Sequence, residues 1–181
     1  MPEPSDESLM TRVRQGDLDA MAPLFERYQG PLLNFFHRLT SDREASRDLV
    51  QVVFERMLRY RRSFHDDGRF RPWLYQTARN VLADHRRRSM RLVTVESGDV
   101  GEVEPDHAGA DWRNRHVARD LSEALQQLNE SDRELILLSR FHGLRYEEIA
   151  VIMKKSLAAV KTQAHRAVHA LRRIYFEEGI A

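Results

Sequence analysis

Apolar residues along this chain of 181 residues recur every three to four positions in nine stretches. No stretch alternates apolar and polar residues for long enough to pair as a strand. The period predicts helices at about Glu7–Arg14, Leu18–Gln29, Leu32–Leu39, Asp42–Arg61 and Arg71–Arg88, then at Asn114–Leu128, Asp132–Phe141, Tyr146–Met153 and Leu157–Phe176. Gly30-Pro31 predicts a break or kink between the second and third, because proline lacks an amide donor and its ring crowds the preceding turn. Gly143 is placed to close the helix that ends at Phe141. Ser41-Asp42-Arg43-Glu44 and Ser131-Asp132-Arg133-Glu134 both read as capping boxes, in which the serine hydroxyl and the glutamate carboxylate accept from orphaned amides. The residues after them diverge at once, so they mark two helix starts and not a repeat.

The period stops between Val93 and Trp112, where Gly98, Gly101, Pro105 and Gly109 are set among six acids and no lysine or arginine. The expected fold class is therefore all-α: two helical domains, 1–92 and 113–181, joined by a flexible acidic linker over 93–112. Charge follows the same division. The formal net charge of +1 conceals 17 basic against 13 acidic residues before Val93, and 12 against 9 after Trp112. Basic blocks favour a polyanionic partner through counterion release, and a like-charged connector stays extended and away from it. The absence of cysteine excludes disulfides, zinc–thiolate sites and thiol catalysis. No apolar run has transmembrane length and the first residues are acidic, so the expectation is a cytoplasmic protein without membrane insertion.

Two clusters carry candidate chemistry. In the second domain, Tyr146-Glu147-Glu148-Ile149-Ala150 is followed by Val151 to Lys155 and by Ser156 to Arg166 in the order of a helix-turn-helix, with Ser156 as N-cap and Val160, Ala164, Val168 and Leu171 on one face of the last helix. The opposite face presents Lys161, Thr162, Gln163, His165 and Arg166, side chains that reach base edges and phosphates in a major groove. The plainer reading is a solvated surface helix. In the first domain, aromatics interleave with arginines from Arg61 to Arg88. Bases of single-stranded DNA stack on aromatic rings while guanidinium groups follow the phosphates. The plainer reading makes Phe70, Trp73 and Leu74 core residues, which leaves Arg79, Asn80, Arg86 and Arg87 without a core role. His165 and His169 are four apart on one helix but lack a third ligand, so no metal site is expected. There is no phosphate-binding glycine loop or nucleophile motif, and the expectation is a protein without cofactor or catalytic residues that is not an enzyme.

Taken in order, these motifs resemble the bacterial sigma-70 family of RNA polymerase sigma factors, in its extracytoplasmic-function group, over nearly the whole chain. Leu24-Phe25-Glu26-Arg27-Tyr28 and Asp48 to Arg56 are similar to the family's polymerase-binding segments, Phe70 to Asn80 with Asp84 and Arg86 to its −10 element, and Leu121 to Arg173 to its −35-reading domain. The resemblance implies an alternative sigma factor that binds core RNA polymerase, recognises −35 and −10 promoter elements and helps melt the DNA. Docking on the polymerase clamp helices would fall to Asp48, Leu49, Gln51, Val52, Phe54 and Glu55. Capture of the single-stranded −10 region would fall to Ser63, Phe64, His65, Arg69, Trp73, Arg79, Asn80, Arg86 and Arg87. Duplex −35 contacts would come from Lys161, Thr162, Gln163, His165 and Arg166, with Lys154, Arg172 and Arg173 near phosphates. An anti-sigma factor that covers one or both domains is a further implied partner.

The chain departs from the family's pattern at two places. Ala45-Ser46-Arg47-Asp48 before Leu49-Val50-Gln51-Val52 stands where Asp-Ala-Glu-Asp before Leu-Val-Gln-Glu is usual, so three acidic positions are lost, one of them to Arg47, which weakens the charge attraction to the clamp. Phosphorylation of Ser46 or Ser63 would restore charge, and Leu49, Val53, Phe54 and the remaining acids would suffice without it. Lys154-Lys155 stands where glycine and an apolar residue are usual, and Arg145 where a Ser or Thr cap is usual. If Lys154 takes a left-handed conformation, the cost is about 1–2 kcal/mol. The alternatives are a polymerase-independent dimeric regulator, which has no need of the aromatic and arginine block, and a protein that docks on polymerase or a regulator without initiating.

Overall fold

The computed structural model describes residues 3–65, 68–93 and 112–177. The chain divides into two compact units, residues 1–100 and 101–181, and among the described residues every regular element is helical.

The first unit contains α1 (Asp6–Gln15), a 3-10 turn (Leu18–Ala20), α2 (Met21–Thr40), α3 (Arg43–Arg59), a second 3-10 turn (Arg61–Ser63) and α4 (Phe70–Val93). Ser5 opens α1 by accepting the Ser8 amide at 3.2 Å, and Asp6 and Glu7 lie at its positive end. Gly16 closes it at φ 107°, a conformation that suits a residue without Cβ. Helices α2, α3 and α4 pack in succession, and α1 packs on α2 and α4. Their buried stripes supply Leu24, Tyr28, Phe35 and Phe36 from α2, Val53 and Met57 from α3, and Phe70, Leu74, Tyr75 and Ala78 from α4. Edge-to-face ring pairs tie α2 to α4, Tyr28 on Phe70 at 5.2 Å and Phe35 on Tyr75 at 5.5 Å.

The break expected at Gly30-Pro31 does not occur, since α2 runs from Met21 to Thr40 with Pro31 inside it. Leu24 and Tyr28 before the pair share one buried stripe with Leu32, Phe35 and Phe36 after it, while Gly30 and Pro31 lie on the exposed side. Burial of each large apolar side chain is worth about 1.5–3 kcal/mol. Together they exceed the roughly 3 kcal/mol that an interior proline costs. Neither expected capping box forms. Ser41 ends α2 in the left-handed region (φ 57°), and Asp42 is the cap of α3, accepting the Ala45 amide at 2.9 Å.

The second unit contains α5 (Trp112–Gln127), α6 (Glu130–Ile136), a π turn (Leu137–Phe141), α7 (Tyr146–Met153) and α8 (Leu157–Glu177). Asn129, not Ser131, caps α6 by accepting the Asp132 amide at 3.0 Å, which leaves Ser131 inside the first turn. Four consecutive residues, Leu135 to Leu138, are buried, as fits a short central helix with neighbours on all sides. Helix α8 packs on α5, α6 and α7, burying Val160, Ala164 and Ala167. At the corner between α5 and α6 the Arg133 guanidinium donates to the carbonyls of Leu125 (2.8 Å) and Leu128 (3.1 Å), supplying partners for the end of α5.

Apart from Val93 and Trp112 at helix ends, the expected acidic linker lies outside the described residues. Among the described residues no helix is long and apolar enough to cross a membrane.

Candidate nucleic-acid and polymerase surfaces

Helix α7 starts at Arg145, whose extended backbone (φ −75°, ψ 153°) is right for a cap but whose side chain accepts nothing. The Glu148 carboxylate compensates by accepting the Arg145 amide at 2.8 Å, one half of a capping box. At its other end Lys154 sits in the left-handed region (φ 54°, ψ 46°). Its amide bonds to Val151 and the next amide to Ala150, at 3.2 and 2.9 Å. Ser156 then opens α8 by accepting the Ala159 amide at 3.2 Å. The chain thus turns from α7 to α8 over residues 154–156, and the expected helix-turn-helix is present in geometry.

On α8 the side chains of Lys161, Thr162, His165, Arg166, Arg172 and Arg173 are exposed, as is Lys154 in the turn. At about 1.5 Å per residue the stripe from Lys161 to Arg173 is roughly 18 Å long, more than the roughly 12 Å width of a DNA major groove. His165 and His169 approach with their Nε2 atoms 3.2 Å apart on this stripe. Among the described residues no group of three or more potential ligands that could hold a metal ion is found. Gln163 does not share the stripe. It is 6% exposed and turned inward, its amide bonded to Ser131, Asp132 and Lys155. Its polarity points to the outer face, but the helical period sets Gln163 between Val160 and Ala167 on the packed side, where a partner network accommodates that polarity.

In the first unit a cavity of about 350 Å³ opens between the end of α3 and the first half of α4, lined by Arg56, Tyr60, Ser63, Trp73, Gln76, Thr77 and Asn80. The Trp73 indole donates to the Ser63 hydroxyl at 3.4 Å, and its ring meets Phe64 edge-to-face at 5.6 Å. Arg56 is held at the wall by Asp84 of α4, 2.6 Å away, and Asp84 also pairs with Arg87. The Arg56 hydrogen bond, followed by that of Arg87, keeps the Asp84 carboxyl below the usual carboxylate range.

Phe64 and Phe70 lie beside this cavity, each with its ring against that of Trp73. Both phenylalanines are buried, so Phe64 does not offer its ring to a base. Helix α1 anchors both residues: Arg14 donates to the Phe64 carbonyl at 3.3 Å, and Glu7 accepts the Phe70 amide at 3.2 Å. A Cβ at Gly68 would meet the His65 carbonyl oxygen at 2.8 Å, so the turn there requires glycine. His65 and Arg69 are exposed and Arg79 is half-buried; Asp66 and Asp67 lie outside the described residues. Arg86 donates to the Leu39 carbonyl at 3.3 Å, at the negative end of α2, so it ties two helices together. Sequence reading found Ser63, Trp73 and Asn80 of the cavity but missed Arg56, Tyr60, Gln76 and Thr77. Their spacing, 56/60 and 73/76/77/80, is the helical signal that assigns them to facing sides of two helices.

Along α3, Asp48, Gln51 and Glu55 are exposed and Val52 is half-buried, with Glu55 paired to Arg59 at 2.8 Å. Leu49 and Phe54 are 4% and 6% exposed, so they carry this surface from beneath and are not part of it. The Phe54 ring lies 4.8 Å from Phe25 of α2, which is 40% exposed beside the same row. Ser46 is fully buried, its hydroxyl bonded to Thr40 and to the Asp42 carbonyl, which closes it to a modifying enzyme; Ser63 is exposed.

Comparison with known proteins places both units. Residues 24–92 match the family model described as Sigma-70 region 2, and residues 118–171 match that described as Sigma-70, region 4. The chain is 32% identical over 168 residues to the RNA polymerase sigma factor CarQ of Myxococcus xanthus, covering 93% of this chain and 96% of that one. It is 31% identical over 183 residues to the ECF RNA polymerase sigma-E factor of Escherichia coli, covering 92% of each. In fold it is similar to the sigma factor RpoE of Bartonella quintana, solved in complex with the anti-sigma factor NepR, with a TM-score of 0.72 at 24% identity over 85% of this chain and 95% of that one.

Proposed function

Because the chain belongs to the sigma-70 family of RNA polymerase sigma factors, in its extracytoplasmic-function group, we propose that the surfaces described above divide promoter recognition between the two units. The protein is an alternative sigma factor: it binds core RNA polymerase, recognises −35 and −10 promoter elements and helps melt the DNA so that transcription begins. It is a transcription initiation factor, and on this reading it catalyses nothing itself and works in the cytoplasm beside the polymerase that does. The observation that carries the reading is the ordered match of region 2 and region 4 to one unit each. The proposed divisions are residues 1–92 for polymerase binding and the −10 element, 93–112 for the connector and 113–181 for the −35 element.

In the second unit, Lys161, Thr162, His165 and Arg166 enter the major groove of the −35 duplex. The stripe is longer than the groove is wide, so Arg172 and Arg173, with Lys154 in the turn, meet phosphates. In the first unit, the cavity beside Trp73 receives an unpaired base of the −10 strand, with Tyr60 and Trp73 offering ring faces and Arg56, Gln76 and Asn80 hydrogen bonds. Stacking is worth about 1–3 kcal/mol per base, which offsets the few kcal/mol needed to unstack and unpair it. The exposed row Asp48, Gln51, Val52 and Glu55 with Phe25 faces the polymerase clamp. An anti-sigma partner would cover exposed apolar side chains such as Leu18 and Phe25 in one unit or Phe141 and Val151 in the other.

In vitro transcription with purified bacterial core polymerase, on genomic fragments that include the region upstream of the protein's own gene, tests the reading. Specific transcripts that need the protein are expected. No transcript together with no binding to core would overturn it.

A further inference from the structure

A polar cluster behind the recognition helix, with Gln163 buried, Ser131 and Asp132 half-buried and Lys155 exposed, joins three parts of the second unit. One Gln163 Nε2 hydrogen goes to Ser131 Oγ at 2.9 Å and the other to Asp132 Oδ1 at 2.7 Å, both in the first turn of α6. Gln163 Oε1 accepts from Lys155 Nζ at 2.6 Å, in the turn between α7 and α8, and Lys155 Nζ also reaches Ser131 Oγ at 3.0 Å. Asp132 is itself fixed, because Asn129 donates to its second oxygen at 2.6 Å while accepting its amide. Two charges of opposite sign and one amide therefore connect the N-cap of α6, the turn and α8. Lys155 is one of only three lysines in the chain; the others, Lys154 and Lys161, lie in the same helix-turn-helix.

We infer that Gln163 is a positioning residue for −35 recognition: the Ser131, Asp132, Lys155 and Gln163 clasp fixes the rotation of α8 about its own axis and so determines which side chains face the bases. The inference rests on the major-groove reading of α8 and adds to it. A glutamine reads adenine by presenting its donor and acceptor together, but both amide hydrogens of Gln163 are committed and the side chain is buried. Neighbouring residues on a helix are set about 100° apart, so a clasp at Gln163 dictates the direction of Thr162, one residue before it, and of Arg166, three residues after it. Base discrimination then belongs to Lys161, Thr162, His165 and Arg166 alone. Removing the clasp frees the helix to rotate and weakens contacts at every base pair together.

The test uses the full chain bound to core polymerase and a set of duplexes in which each −35 base pair is varied. Gln163→Ala, the isosteric Gln163→Met, Ser131→Ala and the double variant of Ser131 and Gln163 are compared with the parent. Loss of affinity by about tenfold, equivalent to about 1.4 kcal/mol, is expected for the Gln163 variants. The loss should be spread evenly over the set with the order of base preference retained, and the double variant should be no weaker than Gln163→Ala. Gln163→Met keeps about the volume of the buried side chain and Ser131→Ala removes only one half-buried hydroxyl, so the comparison survives if Gln163→Ala fails to fold. A loss confined to one base pair would make Gln163 a reader of bases. Unchanged affinity with only a lower Tm would make the cluster a stabiliser without a recognition role. Arg166→Ala separates the two levels: if it weakens −35 binding while the Gln163 variants do not, the clasp alone is overturned, and if none of them does, the major-groove reading falls with it.

Discussion

Replacing Lys154 by glycine is expected to stabilise the second unit while loosening its hold on DNA. Lys154 has φ 54° and ψ 46°, and an L-residue in that region costs about 1–2 kcal/mol. Glycine removes this but adds freedom to the unfolded chain worth about 0.4–1 kcal/mol. The net gain is roughly 0.5–1 kcal/mol, an upward Tm shift on the order of 2–8 °C for a unit of this size. Alanine provides the control, since it also removes the ammonium but keeps a Cβ in the strained region. Hydrogen exchange at the buried Val160, Ala164 and Ala167 amides of the full chain reports global opening of the unit, and Lys154→Gly should be slower than Lys154→Ala. Both variants lose one cation near phosphate, so the slope of log affinity against log salt should fall by about 0.9 in each. Equal protection in the two variants would refute the strain argument, and an unchanged salt slope would remove Lys154 from the phosphate contacts.

Trp73→Ala should lower promoter opening by about 5- to 160-fold, from the loss of about 1–3 kcal/mol of stacking, with −35 duplex binding intact; 2-aminopurine fluorescence in the −10 strand measures it, and equal opening would remove the cavity from melting. Asp84→Asn releases Arg56 and Arg87, a partly exposed pair of contacts worth roughly 1 kcal/mol at neutral pH. Its folded pKa is depressed, so the stabilisation is complete above the unfolded value of 3.8 and fades as pH falls through the lower folded one; the urea midpoints of parent and variant should converge there. His37 has a buried Nδ1 without a hydrogen-bond partner, and burial, then Arg43 and Arg38, lower its pKa from 6.5. The unfolded chain takes up the proton first, so the first unit should lose stability as pH drops below about 6.5. His37→Gln should flatten that part of the urea-midpoint profile, and a parent-like decline would refute the assignment.

Much of this was legible in the sequence because apolar spacing records which face of a helix is buried. Helix existence, the two units and the helix-turn-helix with its Ser156 cap all follow from period and capping chemistry. The failures share one cause, that the sequence gives a residue's character but not its partner. Pro31 was read as a breaker because its cost is local, whereas the stripe that outweighs it is formed with α3 and α4. Ser41 and Ser131 fit a capping pattern, but Asp42 and Asn129 alongside them were equally able to cap and took the position. Gln163 was assigned to the outer face by its polarity, since Ser131, Asp132 and Lys155 are 32, 31 and 8 residues away. Phe64 and Phe54 fall among contact residues in the sequence pattern, yet both are buried beneath the surfaces proposed for base capture and clamp docking.

Helix α1 lies wholly before the stretch that matches region 2, which begins at residue 24. It nevertheless carries the carboxylate that accepts the Phe70 amide, the guanidinium on the Phe64 carbonyl, and the buried Leu9, Met10 and Val13. The border of the region 2 match is thus not the border of what holds Phe64 and Phe70 in place. A fragment cut at Leu24 would retain Phe64, Phe70 and every residue of the cavity beside them, yet would lack the abutment that fixes these two residues.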